Sequence, residues 1–249
     1  MNVLADQASS PVTLEKLSGC ISSYRKTRGY ASFVFNDKDR SRMGAIAVAS
    51  ALIGEHGQAA IMSHNAASTE EEADYVEFTL DGNEVKGWLW RSPFQAGDRV
   101  VAAVGRQGDR YELFGMMRPE DGVIALYPHC SRGRLSHIRN AAKWYGYLLL
   151  FIMLCVGILG FIDSGKPFDF WFEMLADPYL KFIPIGFLGV FFVMVMSLAW
   201  KWMPFVRLSE RVLKVLGLPN PSNIDLVRST KKLKTKDDPP ECGHMYFKY

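Results

Sequence analysis

The sequence predicts an α+β membrane protein in which a small β-barrel domain precedes a two-helix transmembrane hairpin and an amphipathic helix. The clearest observation is a pair of apolar runs, 144–162 and 182–200, each nineteen residues long and without a charged side chain. As helices they would each extend roughly 28 Å, close to the ~30 Å hydrocarbon core of a bilayer. The second observation is the front half of the chain, where aromatic and β-branched runs alternate with turn residues. The third is an amphipathic segment that directly follows the second apolar run.

The N-terminus carries no targeting signal that the sequence reveals. Residues 1–11 (MNVLADQASSP) lack the basic region and the apolar core of a secretory signal. We therefore expect a flexible N-terminus, and a front domain that stays in the cytoplasm where it is made.

Residues 12–131 predict a β-rich domain. Its turns are expected at Asp81-Gly82-Asn83, at 105–109 and at 119–122, each between two strand-like runs. The predicted strands are 19–23, 30–35, 59–62, 76–80, 85–90, 99–104, 111–116 and 123–127. Residues 39–54 have the apolar spacing of a helix, and the acidic run 68–74 is expected to be a solvated loop. Four strands at a spacing of about ten residues predict a meander that closes into a small barrel.

The segment 94–100 (FQAGDRV) indicates the type of barrel. Phe94 is expected to pack inward, Gly97 to permit the tight backbone, and Asp98 to cap the turn before the next strand. This pattern resembles the strand entry of OB-like and SH3-like barrels, and either type is compatible with it. A barrel of this kind does not imply nucleic-acid binding. Residues 1–131 also carry 17 acidic and 13 basic side chains, a net charge of −4, which argues against a nucleic-acid partner.

The charge pattern predicts the orientation of the two spans, which we assign to 144–162 and 182–202. The basic neck, residues 132–143, contains four Lys or Arg and no acid. The loop 163–181 contains four acids and two lysines, whereas residues 201–236 contain nine Lys or Arg and two acids. Short loops rich in Lys and Arg stay in the cytoplasm. We expect a bacterial inner-membrane protein with both termini cytoplasmic and the acidic loop in the periplasm.

Glycines suggest how the two spans pack. Gly157 and Gly160 lie in the outer third of the first span, and Gly186 and Gly189 lie in the outer third of the second. In an antiparallel hairpin the two pairs would meet at one depth, where small residues let helix backbones approach closely. The alternative is that glycine is simply frequent in membrane helices.

The chain after the second span is expected to lie on the membrane surface. Residues 203–218 place apolar side chains on one face and charged ones on the other, which predicts an interfacial helix in the headgroup plane. Residues 219–249 are polar, basic and proline-containing, and predict a disordered cytoplasmic tail. The basic end fits an anionic lipid bilayer as partner. The four cysteines are expected to be reduced thiols, because none falls in the periplasmic loop.

The segment 127–134 (YPHCSRGR) is the most distinctive local string, and we name it the neck segment. His129 beside Cys130 suggests catalysis or a metal site, yet a nucleophilic Cys needs a His that the fold brings to it, and zinc needs four ligands. We expect a structural role at the membrane surface, where the basic side chains can meet lipid phosphates. The candidate site residues in it are Tyr127, Pro128, His129, Cys130, Ser131, Arg132 and Arg134. No motif for an enzyme, a cofactor or a metal is present.

The run 112–134 (ELFGMMRPEDGVIALYPHCSRGR), followed by the two spans, resembles a bacterial family of two-span inner-membrane proteins known as type VI secretion system effectors. The similarity covers residues 19–218 and is strongest at 125–134 (ALYPHCSRGR). The resemblance implies a toxin-delivery context and an inner-membrane target, and it brings no catalytic residues with it. The alternative is a non-toxic adaptor or immunity protein whose β domain binds a protein partner, or which self-associates. Neither apolar run, 144–162 or 182–200, contains a charged side chain that could line a pore, so conduction would require several hairpins.

Overall fold

The computed structural model describes residues 13–31, 71–108, 110–164, 172, 176–177 and 182–249. The chain divides into two compact units. The first unit contains residues 1–136 and 203–249, and the second contains residues 137–202. Each is described by itself below.

The first unit is built on one sheet of seven strands that closes on itself. The strands are β1 Leu14–Ala31, β2 Glu71–Leu80, β3 Asn83–Leu89, β4 Arg99–Gln107, β5 Arg110–Arg118, β6 Val123–Leu126 and β7 Phe247–Lys248. Their order is β3-β2-β1-β4-β5-β6-β7, and β3 also pairs in parallel with β5. That extra pairing closes β1 to β5 into a five-stranded barrel, an architecture consistent with the OB-like alternative.

The strands β1 and β5 each pair with one neighbour along the first half and with another along the second half, and this allows the barrel to close. The first half of β1 pairs with β4, and its second half pairs with β2 from Ile21 onward, with a register shift between Ser22 and Arg25. Likewise, the start of β5 pairs with β3 and its end pairs with β6. Gly87 is needed where β3 meets β5, because a Cβ there would lie 2.5 Å from the carbonyl oxygen of Leu113.

Two apolar clusters hold the first unit together. One fills the barrel with alternate side chains of its strands, such as Val76, Phe78, Val104 and Leu113. The other lies outside the barrel, where Phe114 and Leu126 pack with the helix α3, Met203–Val215. The same outer cluster includes residues from the end of the chain. The domain is therefore a barrel covered on one face by its own C-terminal part.

The second unit is formed by two long helices, α1 Arg134–Ser164, whose first three residues belong to the first unit, and α2 Phe182–Lys201. A ring nitrogen of His137 lies 3.1 Å from the carbonyl oxygen of Ala199, and the Tyr145 hydroxyl donates to the Leu188 carbonyl at 3.1 Å. The later residue of α1 contacts the earlier residue of α2, so the two helices run antiparallel.

One described helical segment, Arg134–Ile158, is long and apolar enough to cross a membrane. A second span is counted only if Gly186–Lys201 and Met203–Val215 are joined as one bent span. The burial of Met203–Val215 on the barrel argues against joining them, because a face that packs on the barrel is not available to lipid.

Several predictions for the barrel are confirmed. The turns after β2 and β5 fall at residues 81–82 and 119–122, as expected. In the segment 94–100, Phe94 is buried, Gly97 has φ 94°, and the Asp98 carboxylate accepts from the Gln95 amide at 2.9 Å.

Other predictions for the front domain are wrong or untested. The meander is wrong, because β4 pairs with β1 and β5 instead of β3. The solvated loop 68–74 is wrong in its second half, because β2 begins at Glu71. The predictions for residues 1–11, 32–70 and most of 163–181 lie outside the described residues.

The two predictions for the C-terminal part are corrected. The apolar face of α3 is buried in the outer cluster of the barrel, so the helix is not held in the headgroup plane by that face. The chain after Leu218 is folded. It forms a 3-10 turn at Pro221–Asn223, the helix α4 Leu226–Leu233 and the strand β7. Several of its apolar residues, among them Ile224, Leu226 and Phe247, are buried against the barrel, which offsets its polar composition.

Candidate functional site

The neck segment leaves the barrel at the end of β6 and turns sharply. The Tyr127 amide donates to the Phe114 carbonyl at 2.9 Å, and the Cys130 amide donates to the Tyr127 carbonyl at 3.1 Å. His129 adopts φ 66°, a left-handed conformation that is uncommon for residues other than glycine. The turn directs the side chains of Tyr127 and Cys130 into the outer cluster.

His129 lies between two rings and one carboxylate. Its ring centroid is 5.2 Å from that of Trp90 and 5.4 Å from that of Phe205, and Nε2 lies 3.0 Å from an oxygen of Glu71. Burial lowers the pKa of His129 more than the Glu71 carboxylate raises it. The imidazole therefore acts as a mostly neutral packing group that joins β2, the loop after β3, and α3.

Cys130 is placed to pack and not to react. Its side chain is 1 % exposed, and Sγ lies 3.5 Å from the Phe205 carbonyl oxygen, to which the thiol donates. Burial raises the pKa of the Cys130 thiol well above its usual range. Because the thiolate is the nucleophile and the metal ligand, a buried thiol of this kind is inert in both roles.

The second half of the neck segment binds the chain that follows α3. The Ser131 carbonyl accepts from the Leu226 amide at 3.1 Å, and the Gly133 amide donates to the Ile224 carbonyl at 2.9 Å. Arg132 Nε donates to the Asp225 carboxylate at 3.1 Å. We call this set of contacts between residues 131–134 and residues 221–226 the clasp.

The clasp is tightened by backbone contact and by one acid. A Cβ at Gly133 would lie 1.9 Å from the Pro221 carbonyl oxygen, so glycine is required there. Glu210 on α3 accepts from the Arg134 amide at 3.4 Å and from the Ser222 hydroxyl. The clasp therefore fastens three parts of the chain at the base of α1.

Sequence reasoning found the neck segment but missed the other half of the clasp. The residues that bind the neck segment lie about ninety positions further along the chain, in a stretch whose composition predicts disorder. The one local signal was Asp225, whose carboxylate accepts from the Arg228 amide and caps α4.

An ionic cluster around the buried carboxylate of Asp74 was also missed by sequence reasoning. Asp74 is fully buried and accepts from Arg28 Nε at 3.1 Å, Arg91 Nη1 at 3.5 Å and the Ser92 amide at 2.9 Å. Glu72 lies 3.2 Å from Arg91 Nη2 and 3.6 Å from Arg28 Nε, so two acids face two guanidinium groups. The charges balance, and the cluster fixes the loop after β3 to the first two strands.

Glu112 is a buried acid of the barrel wall, and within the ranges that the structure describes, burial of its carboxyl group is not compensated by a nearby guanidinium group as it is for Asp74. It lies on β5 between Lys86 of β3 and Gly105 of β4, and its side chain is nearly buried. No hydrogen-bond partner for its Oε2 is found among the described residues. Burial raises the pKa of Glu112 to about 8, so the carboxyl is mostly protonated near neutral pH.

The described part of the chain contains no group of three or more His, Cys, Asp or Glu side chains that could hold a metal ion. The glycines predicted to form a seam are described only in part. A Cβ at Gly186 or at Gly189 would meet no atom within 4 Å, so a close approach is not made at these two positions among the described residues. Their pairing with Gly157 and Gly160 stays a prediction.

The fold and the clasp define a β-barrel protein that bears an apolar helical unit. Comparison with known proteins adds no closer identity. No family model, no curated protein and no solved structure matches the chain.

Proposed function

We propose that this chain is an integral protein of the bacterial inner membrane, anchored by a helical hairpin, with a cytoplasmic barrel that serves as a docking module for a protein partner. The observation that carries the proposal is the apolar surface of the helical unit. Large apolar side chains are exposed along both helices, among them Trp144, Phe151, Ile158, Phe187, Val190 and Val193. Soluble monomers rarely expose apolar patches beyond a few hundred Å², so a surface of this kind is suited to lipid.

Two further features support a membrane setting. Tyr145 and His137 supply polar groups to backbone carbonyls of the facing helix, as is common between helices in lipid. The aromatic residues Trp144, Tyr147, Trp200 and Trp202 lie at the start of the first apolar run and at the end of the second, where interfacial belts form.

Docking is favoured over conduction by the character of the helices. The described faces of α1 and α2 within the apolar runs carry no ionisable side chain apart from tyrosines and Cys155, and a hairpin of two helices cannot enclose a pore. The barrel domain, by contrast, is held together by the contacts of the ionic cluster and the clasp. An adaptor or immunity protein associated with type VI secretion fits these features.

The second candidate is a membrane-targeting effector of type VI secretion. The string 125–134 (ALYPHCSRGR) supports it, through the family resemblance. An effector would reach the inner membrane from the periplasm and would harm it only after several hairpins assemble.

Membrane potential separates the two candidates. The chain is expressed with and without a fused export signal, and a potential-sensitive dye is read at matched membrane levels. We expect no depolarisation by either route, together with recovery of a defined protein partner on the barrel, residues 12–131. Depolarisation that appears only with the export signal would overturn the docking proposal in favour of the effector.

The control for this experiment is a chain that cannot insert. Leu154→Arg with Val193→Arg places a charge in each helix at positions that are exposed and apolar. If depolarisation persisted in this variant, it would not come from the hairpin.

A further inference from the structure

The outward face of α3 is a row of cations. Arg207, Arg211 and Lys214 are exposed and spaced four and three residues apart, so they share one side of the helix. The opposite side is buried on the barrel through Phe205, Leu208 and Val212, among others. The one acid of the helix, Glu210, is engaged by Ser222 and by the Arg134 amide. We call Arg207, Arg211 and Lys214 the cationic row.

Few residues of the chain separate this row from the second apolar helix. The helix α2 ends at Lys201, and α3 begins at Met203. Three extended residues and one helical turn separate Trp200 from Arg207, a distance of about 17 Å at most. That is comparable with the headgroup layer plus one Debye length at physiological salt.

Charge is divided unevenly along the first unit. Residues 203–249 carry nine Lys or Arg and five acids, a net charge of +4. Residues 13–31 and 71–131, which contain the strands β1 to β6, carry twelve acids and ten Lys or Arg, a net charge of −2. Next to an anionic surface, a molecule of this kind gains free energy when its cationic residues face the surface.

We propose that the cationic row is a binding site for the anionic headgroups of the bilayer that holds the helical unit. The barrel docks on that bilayer through charge and not through apolar insertion, because the apolar face of α3 is already buried. This proposal rests on the membrane anchoring proposed above. It adds an anionic phospholipid as the specific ligand, and a docked state of the barrel that depends on lipid charge and on salt.

The test measures the distance between the barrel and the bilayer. The full chain is reconstituted into nanodiscs of phosphatidylcholine alone, or with one third phosphatidylglycerol. A fluorophore is attached to the exposed native thiol of Cys20 on β1, and energy transfer to a headgroup-labelled lipid is recorded. We expect transfer to change when phosphatidylglycerol is present, and the change to vanish in high salt.

The variant Arg207→Gln with Lys214→Gln removes two cations from the row. Each basic residue near an anionic surface contributes roughly fivefold to binding, so docking should weaken about thirtyfold and the lipid-dependent change should be lost. The matched control is Lys16→Gln with Arg106→Gln, which removes two exposed cations from β1 and β4 and should leave the change intact.

Three results would overturn the proposal. The first is equal transfer in both lipid compositions, which would favour an acidic protein as the ligand of the row. The second is a lipid-dependent change that survives the double substitution in the row. The third is a change that survives high salt, which would indicate apolar insertion. Failure of the chain to co-purify with nanodiscs would instead refute the anchoring, a distinct outcome.

Discussion

At the scale of single residues, the most informative side chain is Glu112, whose carboxyl group is buried without a compensating charge in the part of the chain that the structure describes. Asp74 is fully buried, yet two guanidinium groups and an amide satisfy it. Glu112 is nearly as buried and has an oxygen without a hydrogen-bond partner among the described residues. Removing a carboxylate from water without compensation disfavours the charged form, so the fold opposes ionisation of Glu112.

Glu112 predicts a pH dependence of barrel stability. Its pKa is about 8 in the folded chain and near 4.5 when unfolded. Because the folded state holds the proton more tightly, its contribution to stability is fully present below pH 4.5 and is lost as pH rises through 8. Glu112→Gln should raise the melting temperature at pH 8.5 and flatten its dependence between pH 5 and 8, measured in detergent.

The control for that measurement is Glu84→Gln, since Glu84 is exposed and its pairing with Arg110 is loose at 3.8 Å. It should leave the pH profile unchanged. A profile that stayed steep in Glu112→Gln would assign the pH dependence to other groups.

At the scale of elements, the C-terminal segment decides how the barrel is finished. Phe247 is buried in the outer cluster and pairs with Ile124, while Cys242 and Tyr246 are buried with the residues inside the barrel. Lys234 Nζ donates to the Pro239 and Cys242 carbonyls, and Lys248 forms an ion pair with Asp238. A segment that contributes to both clusters is part of the domain and not an appendage.

Phe247→Ala should therefore destabilise the barrel. Loss of a buried phenylalanine leaves a cavity that typically costs 3–5 kcal/mol of unfolding free energy. The exposed His244 offers a comparison three residues away, and His244→Ala should have almost no effect. Denaturant unfolding of both variants checks this. If the Phe247→Ala and His244→Ala variants were equally stable, the C-terminal segment would be disordered, as its composition predicts.

At the scale of the whole molecule, the decisive property is which end of the helices faces the cytoplasm. Positive charge on both flanks of the helical unit predicts cytoplasmic termini. Cysteines introduced at Ser164 and at Lys232 should respond differently to a membrane-impermeant thiol reagent, in a chain whose exposed Cys20 is replaced by serine. Residue 164 should react in spheroplasts, and residue 232, which is exposed on α4, only after lysis. The reverse pattern would place the barrel outside the cytoplasm.

Local signals predicted the parts of the chain that depend on local physics. Turn residues between alternating strands placed the β2–β3 hairpin, and Gly97 with Asp98 predicted the turn before β4, because backbone conformation and capping involve neighbours only. The two apolar runs likewise predicted two helices, whose length and apolar character are properties of composition.

The tertiary structure alone decided what covers each apolar face. The amphipathic pattern of 203–218 predicts that one side of the helix is buried away from water. Lipid or a barrel wall could bury that side equally well, and in the structure it packs on the barrel. In the sequence, His129 beside Cys130 suggests catalysis or a metal site. In the structure their partners are Glu71 and Phe205, which lie more than fifty residues away in opposite directions along the chain. Residues 219–249 contact the barrel and form one half of the clasp, and the two halves of the clasp are separated along the chain by both long helices. Pairings across such distances arise from packing, which composition and periodicity do not record.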